Sequence, residues 1–268
     1  MGLWHQPATD PREARGTKTQ QHRDGRGTGP WSTQHVDAYL GDGMTTNLLE
    51  RLRPVIACVD VGSPKAGSVG WAIRDKDTVQ TGQDLFGLMD ALMPAIQRHR
   101  KMALGFECPL YIPLRESPKE MTQCRRGERL AWSTGAGATV LAIGLAQVHW
   151  VLTELIKHGM PKNRGTTQWA SWSEGDSILL LWEAYITRND GIEVPLDGIS
   201  GNNAHERDAA AGTWAMWHKL QREPVLSSDF GDEKVLSLIG MQLLATDQSK
   251  NTELLYAPCV VLKAKKPI

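Results

Sequence analysis

The feature that most constrains the fold is an apolar stretch, residues 55–63, that is closed by an acid, Asp60, and a glycine. A second β-prone run, residues 67–73, follows after a short turn. This pattern predicts a buried strand that enters a hairpin. A carboxylate at the end of such a strand is costly to bury unless it has a partner or a metal ion. Asp60 is therefore either a functional residue or a turn residue whose side chain accepts hydrogen bonds from nearby backbone N–H groups.

Length and charge limit the class of protein. The chain has 268 residues, of which 41% are hydrophobic, enough for one sizeable α/β domain with an appendage or for two small domains. The formal net charge is zero, so no global field attracts nucleic acid or an anionic membrane. Any basic binding surface must therefore be local.

The cysteines favour a cytoplasmic protein with reduced, mostly buried thiols. They are scattered without the C-x-x-C spacing of a zinc site: Cys58, Cys108, Cys124 and Cys259. Their pattern does not resemble a disulfide framework. The N-terminal residues also lack the apolar core of a secretory signal. We expect neither structural zinc nor disulfides.

The N-terminal stretch, residues 1–43, is polar and lacks hydrophobic periodicity. Such a segment buries too little apolar surface to offset the entropy lost on ordering. We therefore predict that residues 1–50 form a disordered or non-native extension, with an alternative start near Met44. The folded domain is predicted to cover residues 51–268.

Hydrophobic patterning predicts further helices and strands after the hairpin. The helical segments are residues 85–98, 135–156 and 204–217, the strands are residues 101–110 and 177–186, and two apolar runs, 235–244 and 254–263, supply a short helix or strand and a final strand. Strands interleaved with helices indicate an α/β fold. Residues 130–153 lack charged side chains, but their polar residues and short apolar stretches favour a buried helix over a membrane span. No membrane association is expected.

Further acids recur where predicted strands end and on a helix face. Glu107 and Glu183 stand at the ends of two predicted strands, while His205 and Asp208 are three residues apart and share one helix face. Converging carboxylates suit Mg²⁺ or Mn²⁺, which prefer hard oxygen ligands. Asp60, Glu107 and Asp208, completed by Glu183 or His205, would meet the requirement of two cations about 4 Å apart. His205 is either a metal ligand or the group that activates water.

A local basic cluster and two tryptophans are candidates for contacts with nucleic acid. The basic residues follow Glu107 in a polar segment: Arg115, Lys119, Arg125, Arg126 and Arg129. They are either phosphate-binding residues or members of a solvated loop. Trp169 and Trp172 lie in a predicted polar loop, where they would stack on bases or on a protein partner.

The order of these motifs resembles the ribonuclease H-like superfamily in its RuvC-type branch, and is similar to the predicted nucleases grouped as "domain of unknown function 429". The resemblance covers most of the chain and is carried by short motifs: Asp60 with Gly62, Gly70-Trp71, Glu107-Cys108-Pro109-Leu110, Trp182-Glu183-Ala184-Tyr185, His205, and Asp208-Ala209-Ala210. The resemblance implies a mixed central sheet flanked by helices. It also implies a metal site made by Asp60, Glu107 and Asp208, and hydrolysis of nucleic acid.

Three functions remain open from the sequence. The first is a nuclease that uses two divalent cations, with Asp60 bridging the metals, Glu107 and Asp208 holding one each, and His205 tuning the nucleophile. The second is an inactive ribonuclease H-like module that binds nucleic acid or protein in a larger assembly or as a homo-oligomer. The third is an actin-like sugar kinase, because residues 60–63 also resemble a phosphate loop, although the later candidate loop, residues 197–199, lacks a preceding strand. The type of nucleic acid is open.

Overall fold

The structure, a computed structural model, describes residues 48–195, 200–231 and 233–266. The predicted N-terminal extension lies outside the described residues up to position 47, as does the candidate kinase loop, residues 197–199. The first described element is a short helix that buries Leu48. The predicted end of the extension, residue 50, therefore lies inside this helix, because residues 48–50 are already helical.

Strands and helices alternate along the described part of the chain. The strands are β1 (Val55–Asp60), β2 (Gly70–Asp75), β3 (Thr78–Gly82), β4 (Met102–Glu107), β5 (Tyr111–Pro113), β6 (Gly165–Thr166), β7 (Leu179–Thr187), β8 (Ile192–Glu193), β9 (Val235–Ser237) and β10 (Val261–Lys265). The α-helices are α1 (Leu48–Leu52), α2 (Leu85–Gln97), α3 (Gly135–Lys157), α4 (Trp169–Ser173), α5 (Ala204–Arg222) and α6 (Leu238–Ala245). The predicted α/β class is confirmed.

The central sheet is mixed and has eight strands among the described residues, in the order β3-β2-β1-β4-β7-β10-β8, with β6 paired to β7. Strands β1, β2 and β3 form an antiparallel meander, whereas β1, β4, β7 and β10 are parallel neighbours. Strands β5 and β9 form a separate antiparallel pair. In the central parallel pair, Asp60 of β1 stands opposite Glu107 of β4. The carboxyl ends of both strands therefore meet at one edge of the sheet.

Helices cover both faces of this sheet. Successive side chains of a strand point to opposite faces, so Val59 packs in one core with Leu88 of α2 and Leu152 of α3. Its neighbour Cys58 packs in a second core that includes Met216 of α5. Helix α5 packs on this second face against β1, β2 and β10, with α1 and α4 also contributing to the same core. Its first turn lies against Gly70, the partner of Asp60 across the β1–β2 pair.

Helix α3 is long and apolar enough to cross a membrane by length and composition alone, and 33% of its most apolar window is buried. Its second half packs in the core through Val151, Leu152 and Leu155. Its first half exposes Ala138 and Ala142. The prediction of a helix is confirmed, and its buried residues lie between Gly144 and Leu155, so the predicted burial does not extend to its first turns.

Two other expectations differ from the structure. The last strand begins at Val261 rather than near residue 254, because residues 252–256 form a 3-10 turn. Trp172 is fully buried and packs against Trp169 with ring centroids 5.5 Å apart. Trp172 is thus a core residue and does not stack on an external base, contrary to the prediction.

Candidate metal centre

Three carboxylates converge at the edge of the sheet. Asp60 ends β1, Glu107 ends β4, and Asp208 lies in the second turn of α5. One ligand atom from each of the three lies within 4.8 Å of the others. The in-register pairing of β1 with β4 explains the first two positions, and the packing of α5 on that edge explains the third.

The Gly-Trp motif sets how closely α5 approaches the sheet. A Cβ atom at Gly70 would stand 2.2 Å from the carbonyl carbon of His205, so only glycine permits this contact. The buried Glu206 fixes the same turn of α5, because it accepts hydrogen bonds from Thr81 Oγ1 at 2.6 Å and from Gln83 Nε2 at 2.8 Å. The first turn of α5 is thereby held against β2, β3 and the residue that follows β3.

Burial and the charges of neighbouring carboxylates raise the pKa of two members of the cluster, Asp60 and Glu107. Burial raises the pKa of Asp60 to about 6, although a hydrogen bond and the charge of His205 oppose the rise, and the nearby Asp208 adds to it. Burial, followed by the charges of Asp60 and Asp208, raises the pKa of Glu107 well above its usual range. The Oε2 atom of Glu107 is buried without a hydrogen-bond partner among the described residues. Full ionisation of this site therefore requires added positive charge.

His205 is the hydrogen-bond partner of Asp60. Its Nδ1 atom lies 2.7 Å from Asp60 Oδ2, and 40% of the His205 side chain is exposed. The turn after β1 is capped by Ser63, whose side chain accepts from the backbone N–H of Ala66. Among the described residues, Ser63 and not Asp60 caps this turn, so the turn interpretation of Asp60 is not supported.

Lys266 is a member of the site that the sequence prediction missed. Its Nζ atom donates a hydrogen bond to Asp208 Oδ2, and its backbone N–H donates to Thr187 O at 2.8 Å. The predicted final strand stopped at residue 263, whereas β10 continues to Lys265. If the strand had been predicted to continue to Lys265, Lys266 would have been expected at the same edge of the sheet as the acids.

Glu183 is separated from the candidate ligands, contrary to its predicted place among them. It lies within β7, which continues to Thr187, and its side chain is 1% exposed. Arg125 Nη1 and Nη2 donate to its two oxygens at 2.7 Å each, and Leu110 N donates to Oε2 at 2.9 Å. Because both of its oxygens are occupied, Glu183 forms a buried ion pair instead of completing the acidic cluster.

The basic cluster divides into buried and exposed members. Arg125 is 2% exposed and also pairs with Glu128, so its prediction as a phosphate contact is wrong. Arg115 is half-buried, pairs with Glu233 at 2.9 Å and donates to the carbonyl of Cys124. The exposed members are Lys119, Arg126 and Arg129.

A cleft of about 510 Å³ opens beside the acids. Asp60 and Glu107 line it together with Trp132, Tyr185 and the first turn of α3. A concave, partly apolar site with a few convergent polar groups is typical of ligand-binding sites. The chain matches no family model, no curated protein and no solved structure, so the functional assignment depends on this geometry.

Proposed function

We propose that the chain is a divalent-metal-dependent nuclease that hydrolyses phosphodiester bonds of DNA or RNA. The observation that carries the proposal is the convergence of Asp60, Glu107 and Asp208, with ligand atoms within 4.8 Å of one another, beside a cleft. Mg²⁺ and Mn²⁺ bind such oxygen ligands, and metal-bound carboxylate sites are a recurrent means of cleaving phosphodiesters.

The donor set fits a hard cation. Glu107 offers a buried oxygen without a hydrogen-bond partner among the described residues. Burial, with a smaller contribution from the neighbouring carboxylates, raises the pKa of Asp60 and Glu107, so the three acids in their ionised form would carry an excess of negative charge. A bound cation would relieve this excess and supply a partner for the buried oxygen. Asp60, Glu107 and Asp208 are the residues that would hold it.

His205 is suited to move a proton at this site. When bound, the cation would activate a water molecule and stabilise charge on the phosphoryl oxygens. The carboxylate of Asp60 accepts from Nδ1 of His205, so Nδ1 carries the hydrogen and Nε2 keeps its lone pair. A neutral imidazole accepts a proton near pH 7. His205 would therefore take the proton of the attacking water through Nε2, while Asp60 stabilises the resulting imidazolium.

The surroundings of the acids suit a nucleic acid substrate. Trp132 and Tyr185 line the cleft and offer aromatic surfaces on which bases stack. Lys119, Arg126 and Arg129 are exposed on the segment that leads into the cleft wall, where cationic side chains can contact phosphates. These features support nucleic acid as the substrate, and they leave the choice between DNA and RNA to experiment.

A ribonuclease H-like relationship in the RuvC-type branch, close to "domain of unknown function 429", is part of the same proposal. The resemblance implies a mixed sheet flanked by helices and a metal site made by Asp60, Glu107 and Asp208. The mixed sheet, with one acid at the end of β1, one at the end of β4 and one on α5, agrees with that expectation. The agreement supports the relationship through architecture and motif order together.

The test is cleavage of labelled single-stranded, duplex, hybrid and branched DNA and RNA in the presence of Mg²⁺ or Mn²⁺. Wild-type protein is expected to cleave at least one substrate, and Asp60→Asn and Asp208→Asn are expected to lose about 100-fold or more of that activity. Glu193→Gln is the matched control, because Glu193 is 81% exposed and pairs with Lys265.

Absence of cleavage by folded wild-type protein on every substrate would contradict the nuclease proposal. Tight binding of nucleic acid without cleavage would then favour the alternative, an inactive module in a larger assembly. Equal activity of wild type and Asp208→Asn would contradict the assignment of the acids even if cleavage is observed.

A further inference from the structure

We propose that the acidic cluster holds a single divalent cation and that the ammonium group of Lys266 supplies the positive charge that a second cation would otherwise provide. This inference rests on the proposed function and replaces the two-cation arrangement expected from the sequence. Three features of the site carry it: the number of ligands, their spacing and the local charge.

The first feature is the small number of available ligands. Glu183, the acid expected to help complete a two-cation set, gives both of its oxygens to Arg125 and Leu110. One oxygen of Asp60 accepts from His205, and one oxygen of Asp208 accepts from Lys266. A carboxylate that bridges two cations through both oxygens would have to give up such a bond. The cluster therefore offers few oxygens beyond the needs of one cation.

The second feature is the spacing of the ligands. One carboxylate oxygen from each of Asp60, Glu107 and Asp208 lies within 4.8 Å of the other two. Opposite oxygens around one Mg²⁺ ion are about 4.2 Å apart, since each Mg–O distance is about 2.1 Å. Two cations about 4 Å apart need ligands that spread over a wider region. The observed spacing suits one cation, because the three ligand atoms need to move only slightly closer together to bind it.

The third feature is charge. Three ionised carboxylates and the ammonium of Lys266 leave a formal charge of −2, which one divalent cation neutralises. The Lys266 side chain is 35% exposed, so a substrate phosphate can reach it.

The test combines metal stoichiometry with cleavage in wild type, Lys266→Met and Lys265→Met. Lys265 is the matched control, because it is the preceding residue and pairs with the exposed Glu193. Calorimetric titration and electron paramagnetic resonance with Mn²⁺ count the bound ions and separate an isolated ion from a coupled pair. Melting temperatures check that each variant folds, and Lys266→Arg tests whether positive charge alone restores function.

We expect one isolated Mn²⁺ ion per wild-type chain. Lys266→Met is expected to keep Mn²⁺ binding with equal or higher affinity but to lose cleavage by about 100-fold or more, whereas Lys265→Met should retain both. Lys266→Arg should recover part of the cleavage. A coupled pair of Mn²⁺ ions in wild type, or full cleavage by Lys266→Met, would overturn this inference and leave the nuclease proposal intact. A wild-type chain that binds no Mn²⁺ would overturn both.

Discussion

Two buried acidic sites lie beside the same cleft, and they are built in opposite ways. Glu183 is matched to Arg125 by two hydrogen bonds of 2.7 Å, and Glu128 contacts the same guanidinium at 3.0 Å. The cluster of Asp60, Glu107 and Asp208 instead places like charges together. In the first site both carboxylates bind the guanidinium of Arg125, whereas the second leaves a buried carboxylate oxygen, Glu107 Oε2, without a hydrogen-bond partner among the described residues.

The difference teaches how to separate a structural acid from a functional one. Burial alone would lower the pKa of Arg125, but the charge of Glu183 and its hydrogen bonds raise it above the usual value, so the guanidinium stays charged. Burial raises the pKa of Glu183 in spite of Arg125 and that of Asp60 in spite of His205, so the two sites differ in their counter-charge and not in the direction of the pKa shift. A buried acid that is matched by a resident cation is explained by the fold, whereas three acids that share the single ammonium group of Lys266 call for a further cation from solution.

The largest expected effect on stability comes from breaking the matched pair. Glu183→Gln removes the main counter-charge of a buried guanidinium, so we expect the free energy of unfolding to fall by about 3 kcal/mol or more. The melting temperature would drop by roughly 6–12 °C. Denaturant unfolding with Glu193→Gln as the control measures this change. A loss below about 1 kcal/mol would show that Glu128 alone holds Arg125 and that the two sites differ less than described.

A smaller effect is expected where the acidic cluster depends on close backbone contact. Gly70→Ala pushes a methyl group into the first turn of α5 and should lower the free energy of unfolding by about 1–3 kcal/mol. It should also weaken Mn²⁺ binding, because Asp208 moves with α5. Gly67→Ala is the control, since Gly67 has a φ of 67° but open space around it. It should cost about 1 kcal/mol without changing Mn²⁺ affinity. Equal Mn²⁺ affinity in both variants would contradict the role given to Gly70.

The pH dependence of metal binding distinguishes the two sites further. The pKa of Asp60 is about 6 in the folded chain and about 4 when unfolded. The folded state therefore binds more protons between these values, and the stability contributed by Asp60 falls as pH rises through this window. Protons compete with the cation, so the rise in melting temperature caused by Mn²⁺ should be larger at roughly pH 7.5 than at roughly pH 5. A rise that does not change with pH would place the bound ion away from Asp60.

The smallest expected effect has the opposite sign to that of Glu183→Gln. In metal-free protein near neutral pH, Asp60→Asn removes a charge that burial and Asp208 disfavour. We expect the free energy of unfolding to rise by about 1 kcal/mol, since the lost bond to His205 offsets part of the gain. Denaturant unfolding measures it. A clear loss of stability would mean that Asp60 is a structural acid like Glu183.

The sequence was sufficient to predict the α/β class and the meeting of Asp60 with Glu107. Both acids follow apolar runs, and parallel strands bring such ends to one edge. Asp208 was predictable because its helix face continues through small residues that allow close packing, as Gly212 does against Cys58. These inferences depend on local periodicity, which the sequence displays directly.

The errors concern side chains whose partners are distant in sequence. Arg125 looked like a surface cation, but its partner Glu183 is 58 positions away and the pair is buried. Glu183 was predicted to stand at the end of a strand, because the residues after it have a weaker apolar pattern. In the structure β7 continues through those residues to Thr187. Lys266 was missed for the reverse reason, since the last strand was ended too early. Pairing of charges is decided by tertiary packing, which local pattern does not reveal.

The measurement that tests the central claim most directly is the melting temperature with and without Mn²⁺ for wild type, Glu107→Gln and Glu193→Gln. If the acidic cluster binds the cation, saturation at about 100 times the dissociation constant stabilises the fold by about 2.7 kcal/mol. The melting temperature should then rise by roughly 5–10 °C in wild type and Glu193→Gln, and should not rise in Glu107→Gln. An equal rise in Glu107→Gln, or no rise in wild type, would contradict the account.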